Sequence, residues 1–231
     1  NSGSDSIYAP QIFGDSSAYA DVYSISPKEV AFYIQDKMEF DDMVINVGLR
    51  YDQFDPESVY PSDRRNPANQ LILPDSMMSL YPGAPVISQI SPRVGFAYQL
   101  GGQAVLHFSY GHFFQMPPMY AMYENNSFLV DPNNFVTRMG NTLLEPEKTI
   151  TYEIGLWQEL NQVMALDVAL FYRDIYNLLT TKTISTYNQV KYGLYSNKDY
   201  GNVRGLELKL DLALGQLKGM VNYTLQYTRG N

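Results

Sequence analysis

Apolar residues alternate with polar or small residues along almost the whole chain, and the stretch LELKLDLAL shows this most clearly. The leucines at even positions from 206 to 214 fall on one face, whereas Glu207, Lys209 and Asp211 fall on the other. A period of two residues is that of a β-strand, because successive side chains of a strand point to opposite faces of the sheet. The pattern predicts an all-β fold.

Eight segments share this alternation, and they are joined by connections that are short and long in turn. The predicted strands are 28–40, 43–54, 92–100, 104–115, 148–160, 163–176, 202–214 and 220–229. The long connections, 55–91, 116–147 and 177–201, are rich in Pro, Asn, Ser and Tyr. This arrangement favours an antiparallel up-and-down sheet with short turns at one end and long loops at the other. Residues 1–26 are then expected to be a loop that leads into a barrel segment, 27–231.

The turn residues also predict how two hairpins pair. A two-residue turn at Asp41-Asp42 brings Met38 opposite Ile45, so that apolar side chains meet. A three-residue loop after Leu100 brings that leucine opposite Ala104, with glycine in a left-handed conformation. A shift of one residue would mix the two faces, so these registers are specific predictions.

Asp36 is an exception, because it falls on the apolar face opposite Val47. A charge that faces lipid near the middle of a membrane costs about 2–4 kcal/mol. Either a bulge turns Asp36 inward or the residue lies close to a membrane interface.

Strand length favours a transmembrane barrel over a soluble sandwich. A soluble strand is usually about 5–6 residues long, whereas a strand that spans a membrane needs about 9–11. The 20 tyrosines include several towards strand ends, as in the aromatic girdles of outer-membrane barrels. Apolar faces are therefore expected to contact outer-membrane lipid, and polar faces to line the interior.

Composition excludes several other functions. With 16 basic and 24 acidic residues the formal net charge is −8, which disfavours a nucleic-acid partner. The absence of cysteine excludes disulfides and thiolate metal sites. No glycine-rich phosphate loop or nucleophile elbow occurs, so neither a cofactor nor enzymatic activity is expected.

Several segments, in order, resemble the barrel of TonB-dependent outer-membrane receptors. They are PKEVAFYIQDKMEFDDMVINVGLRYDQFDP (27–56), SPRVGFAY (91–98), FSYGHFFQMPP (108–118), LEPEKTITYEIGL (144–156), YRDIYNL (172–178) and GNVRGLELKL (201–210). The resemblance implies a 22-stranded barrel filled by an N-terminal plug, which a TonB-type protein engages to drive uptake of a scarce ligand such as a siderophore, oligosaccharide or peptide. No segment resembles the plug, so the chain is expected to be an internal part of a larger barrel.

The candidate ligand-binding residues are loop aromatics and polar residues of the predicted interior. Rings near the second long loop could stack on a ligand, or they could form an interfacial girdle and a packed loop. The candidates are Phe113, Phe114, Met119, Tyr120, Tyr123, Arg50, His107 and Arg173.

Two other functions remain open at this stage. A small self-contained barrel with a structural or adhesive role would require the first strand to pair with the last. A hydrolase would use His107 and Ser109, which share a strand face, although no residue that would orient the histidine is identifiable.

No metal site is expected. His107 and His112 point to opposite faces of one strand and cannot chelate the same ion. The segment Asp131–Asn134 offers oxygen ligands for calcium, but a plain turn explains it as well. The run Glu145–Lys148 is interpreted as the place where a loop enters a strand.

Overall fold

The structure is a computed structural model that describes residues 14, 21–132 and 137–230. These residues form nine strands and very little helix. The strands are β1 (Lys28–Glu39), β2 (Met43–Asp55), β3 (Ile87–Leu100), β4 (Ala104–Gln115), β5 (Arg138–Met139), β6 (Glu147–Asn161), β7 (Met164–Ser185), β8 (Lys191–Leu214) and β9 (Leu217–Gly230). A 3-10 helix spans Asp75–Met77, and helix α1 spans Met119–Tyr123.

The long strands form one antiparallel up-and-down sheet, as predicted. Their order is β1-β2-β3-β4-β6-β7-β8-β9, and each pairs with its neighbour in the chain. The two-residue strand β5, which was not predicted, adds to β8 in a parallel orientation. Within the described residues β1 and β9 do not pair, so the sheet is open and lacks the closure that a self-contained barrel requires.

Both predicted hairpin registers are confirmed. Met38 lies opposite Ile45, and Leu100 lies opposite Ala104. Gly101 and Gly102 have φ angles of 60° and 81°, the left-handed region that glycine enters without a steric penalty. Turn length and side-chain alternation were sufficient to predict these two registers, because both depend on only a few neighbouring residues.

The register of β1 and β2 is continuous past Asp36, which lies opposite Val47. The bulge considered from the sequence is therefore absent, and this carboxylate is exposed on the apolar face. It lies three residues before the end of β1 at the short-turn end of the sheet. This position agrees with the other alternative, a charge close to an interface.

The predicted loop 177–201 is largely a hairpin instead. Strand β7 continues to Ser185 and β8 begins at Lys191, with register shifts near residues 175–179. At about 3.3 Å per residue, these strands are far longer than a membrane crossing requires. The sequence did not predict this extension because its tyrosines and asparagines lack the clean alternation of the lower strands. Likewise, β3 begins at Ile87, within the loop predicted as 55–91.

The two faces of the sheet differ in what covers them. Large side chains of the apolar face, such as Ile34, Leu170 and Tyr223, stay exposed. On the polar face, by contrast, Asp52 and Phe54 are buried beneath the chain's own loops. Because the loops fold over the polar face at the long-loop end, we call that face the inner face.

Candidate functional site

The long loops form a compact cap, which we define as the two buried apolar clusters at the long-loop end of the sheet. The first cluster contains Phe54, Ala121, Met122, Tyr123, Leu144 and Tyr195. The second contains Phe128, Val130, Met139, Tyr192 and Leu194. Since Phe54 belongs to the inner face of β2, the cap is anchored on the wall of the sheet. Burial of these side chains stabilises the loops as an ordered surface.

Two buried tyrosines fasten the first long loop to the rest of the cap. Tyr123 donates a hydrogen bond to the carbonyl oxygen of Pro56 at 3.0 Å, and Tyr192 donates one to that of Arg64 at 2.6 Å. Burial raises the pKa of each phenol to about 12, because the charged phenolate would lose its hydration. Both residues thus hold the cap in their neutral form.

Asparagine side chains fasten the second long loop to the extended hairpin. Asn197 accepts a hydrogen bond from the amide of Glu145 at 2.7 Å and donates one to its carbonyl oxygen at 2.8 Å. Asn141 donates to the carbonyl oxygen of Tyr195 at 2.9 Å. These bonds satisfy both backbone groups of Glu145 in the second long loop and the carbonyl oxygen of Tyr195 on β8.

Arginines are spread over the upper half of the inner face. Arg50 forms an ion pair with Asp52, with 2.8 Å between guanidinium and carboxylate. The Arg93 guanidinium lies 4.8 Å from the centre of the Phe113 ring. That of Arg173 lies 4.8 Å from the ring of Phe171, which was not among the predicted candidates.

A cavity of about 510 Å³ lies against this part of the inner wall. Its polar lining residues include Gln35, Asn46, Arg50, Ser91, Arg93, Ser109 and Thr151, and none of the lining residues that the structure describes is acidic. In a chain with a net charge of −8, the lining contains two arginines, of which Arg50 is paired with Asp52 from outside the lining, so Arg93 makes it locally positive. Such a lining can donate hydrogen bonds to the oxygens of a ligand.

The structure separates the predicted loop aromatics. Met119 and Tyr120 are exposed on α1, and the Tyr120 ring lies 5.8 Å from that of Tyr195. Tyr123, only 2% exposed, lies inside the cap. Phe113 is on the inner face and lines the cavity. Phe114 alternates to the opposite face of β4, and at the end of that strand it also borders a second cavity of about 390 Å³ beside Gln115 and Met116. Sequence reasoning could not distinguish them because all five are apolar residues in one stretch.

His107 lies on the inner face, where its ring covers Gly155. A Cβ atom added at Gly155 would come within 2.2 Å of His107 Nε2. Among the described residues no hydrogen bond joins His107 to Ser109, so the geometry of a nucleophile and its base is absent. His112, on the opposite face, hydrogen bonds with the Tyr110 hydroxyl through Nε2 at 2.6 Å.

Arg93, Ser91 and Phe171 are inner-face residues that sequence reasoning did not select. Arg93 stood in the SPR segment, and its even spacing from Ser91 places both on one face. That signal was available, but it does not show which polar residues lie beside a cavity.

The described residues contain no group of three His, Asp or Glu side chains that could hold a metal ion. Of the segment considered for calcium, Asn133 and Asn134 lie outside the described residues. Strand β6 begins at Glu147, so the run that starts at Glu145 does mark the entry of a loop into a strand. In the described part of the chain, no helix has the length and apolar character of a membrane span.

Comparison with solved structures shows the same fold in outer-membrane receptors. The chain is similar to the FrpB iron transporter of Neisseria meningitidis (16% identity, TM-score 0.59), covering 90% of this chain and 27% of that one. It is similar to the siderophore receptor PirA of Pseudomonas aeruginosa (18% identity, TM-score 0.62; 87% and 34% covered). It is also similar to the Serratia marcescens hemophore receptor HasR (18% identity, TM-score 0.64; 87% and 34% covered).

These structures are about three times as long as the matched chain, which spans 27–34% of each of them. No curated protein sequence matches the chain. The family model described as TonB dependent receptor-like, beta-barrel, matches residues 1–231. The open sheet with long strands, an apolar outer face and a polar inner face is what one part of such a barrel should show. The chain therefore belongs to the TonB-dependent receptor β-barrel family of the Gram-negative outer membrane.

Proposed function

We propose that this chain is the barrel portion of a receptor for energised uptake of a scarce ligand, with its long-loop end outside the cell. The observation that carries the proposal is the position of the cap. The cap is folded over the inner face rather than away from it, because its first cluster includes Phe54 of the inner face of β2. Asp52, on the same face of that strand, is buried as well. A ligand held by the cap would therefore stand directly above the polar wall.

The similar structures support an uptake role, and their descriptions suggest ligand classes. FrpB is described as an iron transporter, PirA as a siderophore receptor, and HasR was solved with its hemophore and heme. Siderophores are therefore the first class to test for this chain, with oligosaccharides and peptides as further classes. At 16–18% identity these structures share the fold, and the ligand of this chain is our proposal.

The predicted residues take four different roles in this proposal. Met119 and Tyr120 form an exposed first contact surface on the cap. The inner-wall candidates, Arg50, His107, Phe113 and Arg173, contact the ligand or the material that fills the barrel. Phe114 belongs to the outer girdle, and Tyr123 keeps α1 in place through its bond to the Pro56 carbonyl.

The proposed partners follow from the two faces of the wall. Outer-membrane lipid covers the exposed apolar face, because water would leave its leucines and tyrosines unfavourably solvated. A plug domain fills the interior, and a TonB-type protein of the inner membrane acts on that plug. Neither partner requires chemistry from the residues described here, so the chain is proposed to bind and guide a ligand without catalysis.

A transport assay tests this function. Cells that carry or lack the full-length gene would be supplied with radioactive iron bound to each of a panel of siderophores. We expect uptake of at least one complex in the parent strain, and loss of uptake in the deletion strain and in a strain without TonB. Uptake that persists without TonB would contradict the energised mechanism, and surface adhesion without any uptake would favour the adhesive alternative.

A further inference from the structure

Three hydrogen-bond donors follow one another along the inner face of β3. Gln89, Ser91 and Arg93 are two residues apart, so their side chains leave the same face of the strand. Gln89 Nε2 and Ser91 Oγ are buried and have no hydrogen-bond partner in the part of the chain that the structure describes. Within the described residues Arg93 forms no ion pair with a carboxylate, and its guanidinium lies 4.8 Å from the centre of the Phe113 ring.

Ser91 is the most informative of the three. Its side chain is 1% exposed, and it lines both the 510 Å³ cavity and a second cavity of about 390 Å³. Arg50 and Arg93 also line both cavities. Arg50 lies directly opposite Ser91 on β2, and Arg93 follows it two residues along β3, so Ser91 has an arginine neighbour on each of the two strands.

Two acidic residues, Glu29 and Asp52, line the 390 Å³ cavity, and Asp52 is paired with Arg50. Neither of them lines the 510 Å³ cavity. In that larger cavity Arg93 is the cation beside Ser91 that forms no ion pair among the described residues. A buried donor without an acceptor loses its bond to water and gains none in return, so proteins rarely keep one unless something supplies the acceptor.

We propose that Ser91 and Arg93, with Arg50 beside them, form a binding site for an oxyanion group of the transported ligand, a carboxylate or a phosphate. The guanidinium fork of Arg93 supplies parallel donors to two oxygens of such a group. The Ser91 hydroxyl donates to the same group, and Gln89 reaches an acceptor further along the strand. This site rests on the proposed function, and it narrows the ligand to one that carries negatively charged oxygens.

A carboxylate of the plug domain proposed to fill the barrel would satisfy the same donors. The test must therefore distinguish a plug carboxylate from an oxyanion group of the ligand. The full-length gene product, purified from outer membranes in detergent, would be titrated with citrate by calorimetry. The variants are Ser91→Ala, Arg93→Gln and Arg93→Lys. Matched controls are Ser88→Ala, on the other face of β3, and Lys37→Gln, an inner-face cation paired with Glu39 outside the cavity.

We expect citrate to bind the unaltered protein and Arg93→Gln to weaken that binding by about tenfold or more, since charge-assisted bonds are the stronger ones. Ser91→Ala should weaken citrate binding by about threefold. The citrate affinity of Arg93→Lys should lie between those of the unaltered protein and Arg93→Gln, and the affinities of both controls should stay within about twofold of the unaltered protein. If Arg93→Gln does not fold, the citrate affinity of Ser91→Ala decides the test, because that substitution changes the protein by only one oxygen atom.

Absence of citrate binding by the unaltered protein would overturn the site, and so would binding that none of the three variants alters. A lower unfolding temperature in Arg93→Gln with unchanged citrate affinity would assign the donors to the barrel's filling, which also overturns the proposal. Calorimetry on purified protein does not depend on transport. Failure of energised uptake with intact Arg93-dependent binding would thus reject the proposed function alone.

Discussion

At the scale of single residues, Gly205 shows how closely the inner wall is packed. A Cβ atom there would lie 2.4 Å from the backbone oxygen of Leu225 and 2.6 Å from the ring of Phe171, which is buried. The Phe171 ring could move, but the backbone of β9 could not move without breaking the hydrogen bonds that pair it with β8.

Gly205→Ala should therefore lower the free energy of unfolding by about 1–3 kcal/mol through overpacking. Urea titration of the full-length protein in lipid vesicles would measure the loss. Gly95→Ala is the matched control, because its new methyl group would meet Asn46 Cβ at an ordinary 3.7 Å. Equal stability of the two variants would show that the β8–β9 spacing is looser than described.

Tyr123 and Tyr192 give the cap a defined response to alkaline pH. Their pKa is raised to about 12 in the folded protein, compared with an ordinary value of about 10 in the unfolded chain. The stability that the cap gains from the raised pKa values of these two tyrosines is complete below about pH 10. Between about pH 10 and 12 the unfolded chain loses protons that the folded cap retains, so the cap loses stability as pH rises.

Replacing both residues by phenylalanine should cost about 1 kcal/mol per lost hydrogen bond at neutral pH and reduce the alkaline loss. Limited proteolysis of the loops from about pH 8 to about pH 12 would measure both effects. Tyr120→Phe is the control, since that ring is exposed. An unchanged alkaline response in the double variant would show that other groups cause it.

At the scale of elements, β8 tests which face of the sheet contacts lipid. Leu208 lies in an apolar row between Val168 and Tyr223, whereas its neighbour Glu207 faces inward. Arginine in place of Leu208 should destabilise the barrel by about 2–4 kcal/mol, the cost of a cation at mid-membrane. Arginine in place of Glu207 should cost clearly less.

Folding of both variants into lipid vesicles, followed by urea titration, measures this difference. If Glu207→Arg proved the more costly, the apolar face would lie in a protein interior, and the assignment of lipid and lumen would be reversed.

At the scale of the whole molecule, the open sheet leaves β1 and β9 each with an edge that pairs with no other described residue. Unpaired edges of long apolar strands are prone to aggregate, so further strands are expected to cover them in the membrane. The chain contains no cysteine, which allows a clean disulfide test of what lies beside each edge.

Cysteine pairs that join Val30 to Tyr223, Leu225 or Tyr227 should form no disulfide within one molecule of the full-length protein. A positive control pairs Ile34 with Leu49, which are opposite each other in β1 and β2. Mobility on non-reducing gels reports the bond. Efficient β1–β9 crosslinking would show that the sheet closes after eight long strands, and it would support the alternative of a self-contained barrel.

The sequence by itself determined the strands, their order and the hairpin registers, since these depend on side-chain alternation and on turns of two or three residues. The resemblance of its motifs to TonB-dependent receptors likewise pointed to the family that the comparison confirmed. Only the tertiary structure decided that Tyr123 is buried while Tyr120 is exposed, and that β7 and β8 continue as a hairpin through the predicted loop 177–201. It also decided that Ser91 Oγ, beside Arg93, has no hydrogen-bond partner within the described residues. Each of these three features depends on which distant part of the chain packs against the residue, and the local sequence pattern does not indicate that contact.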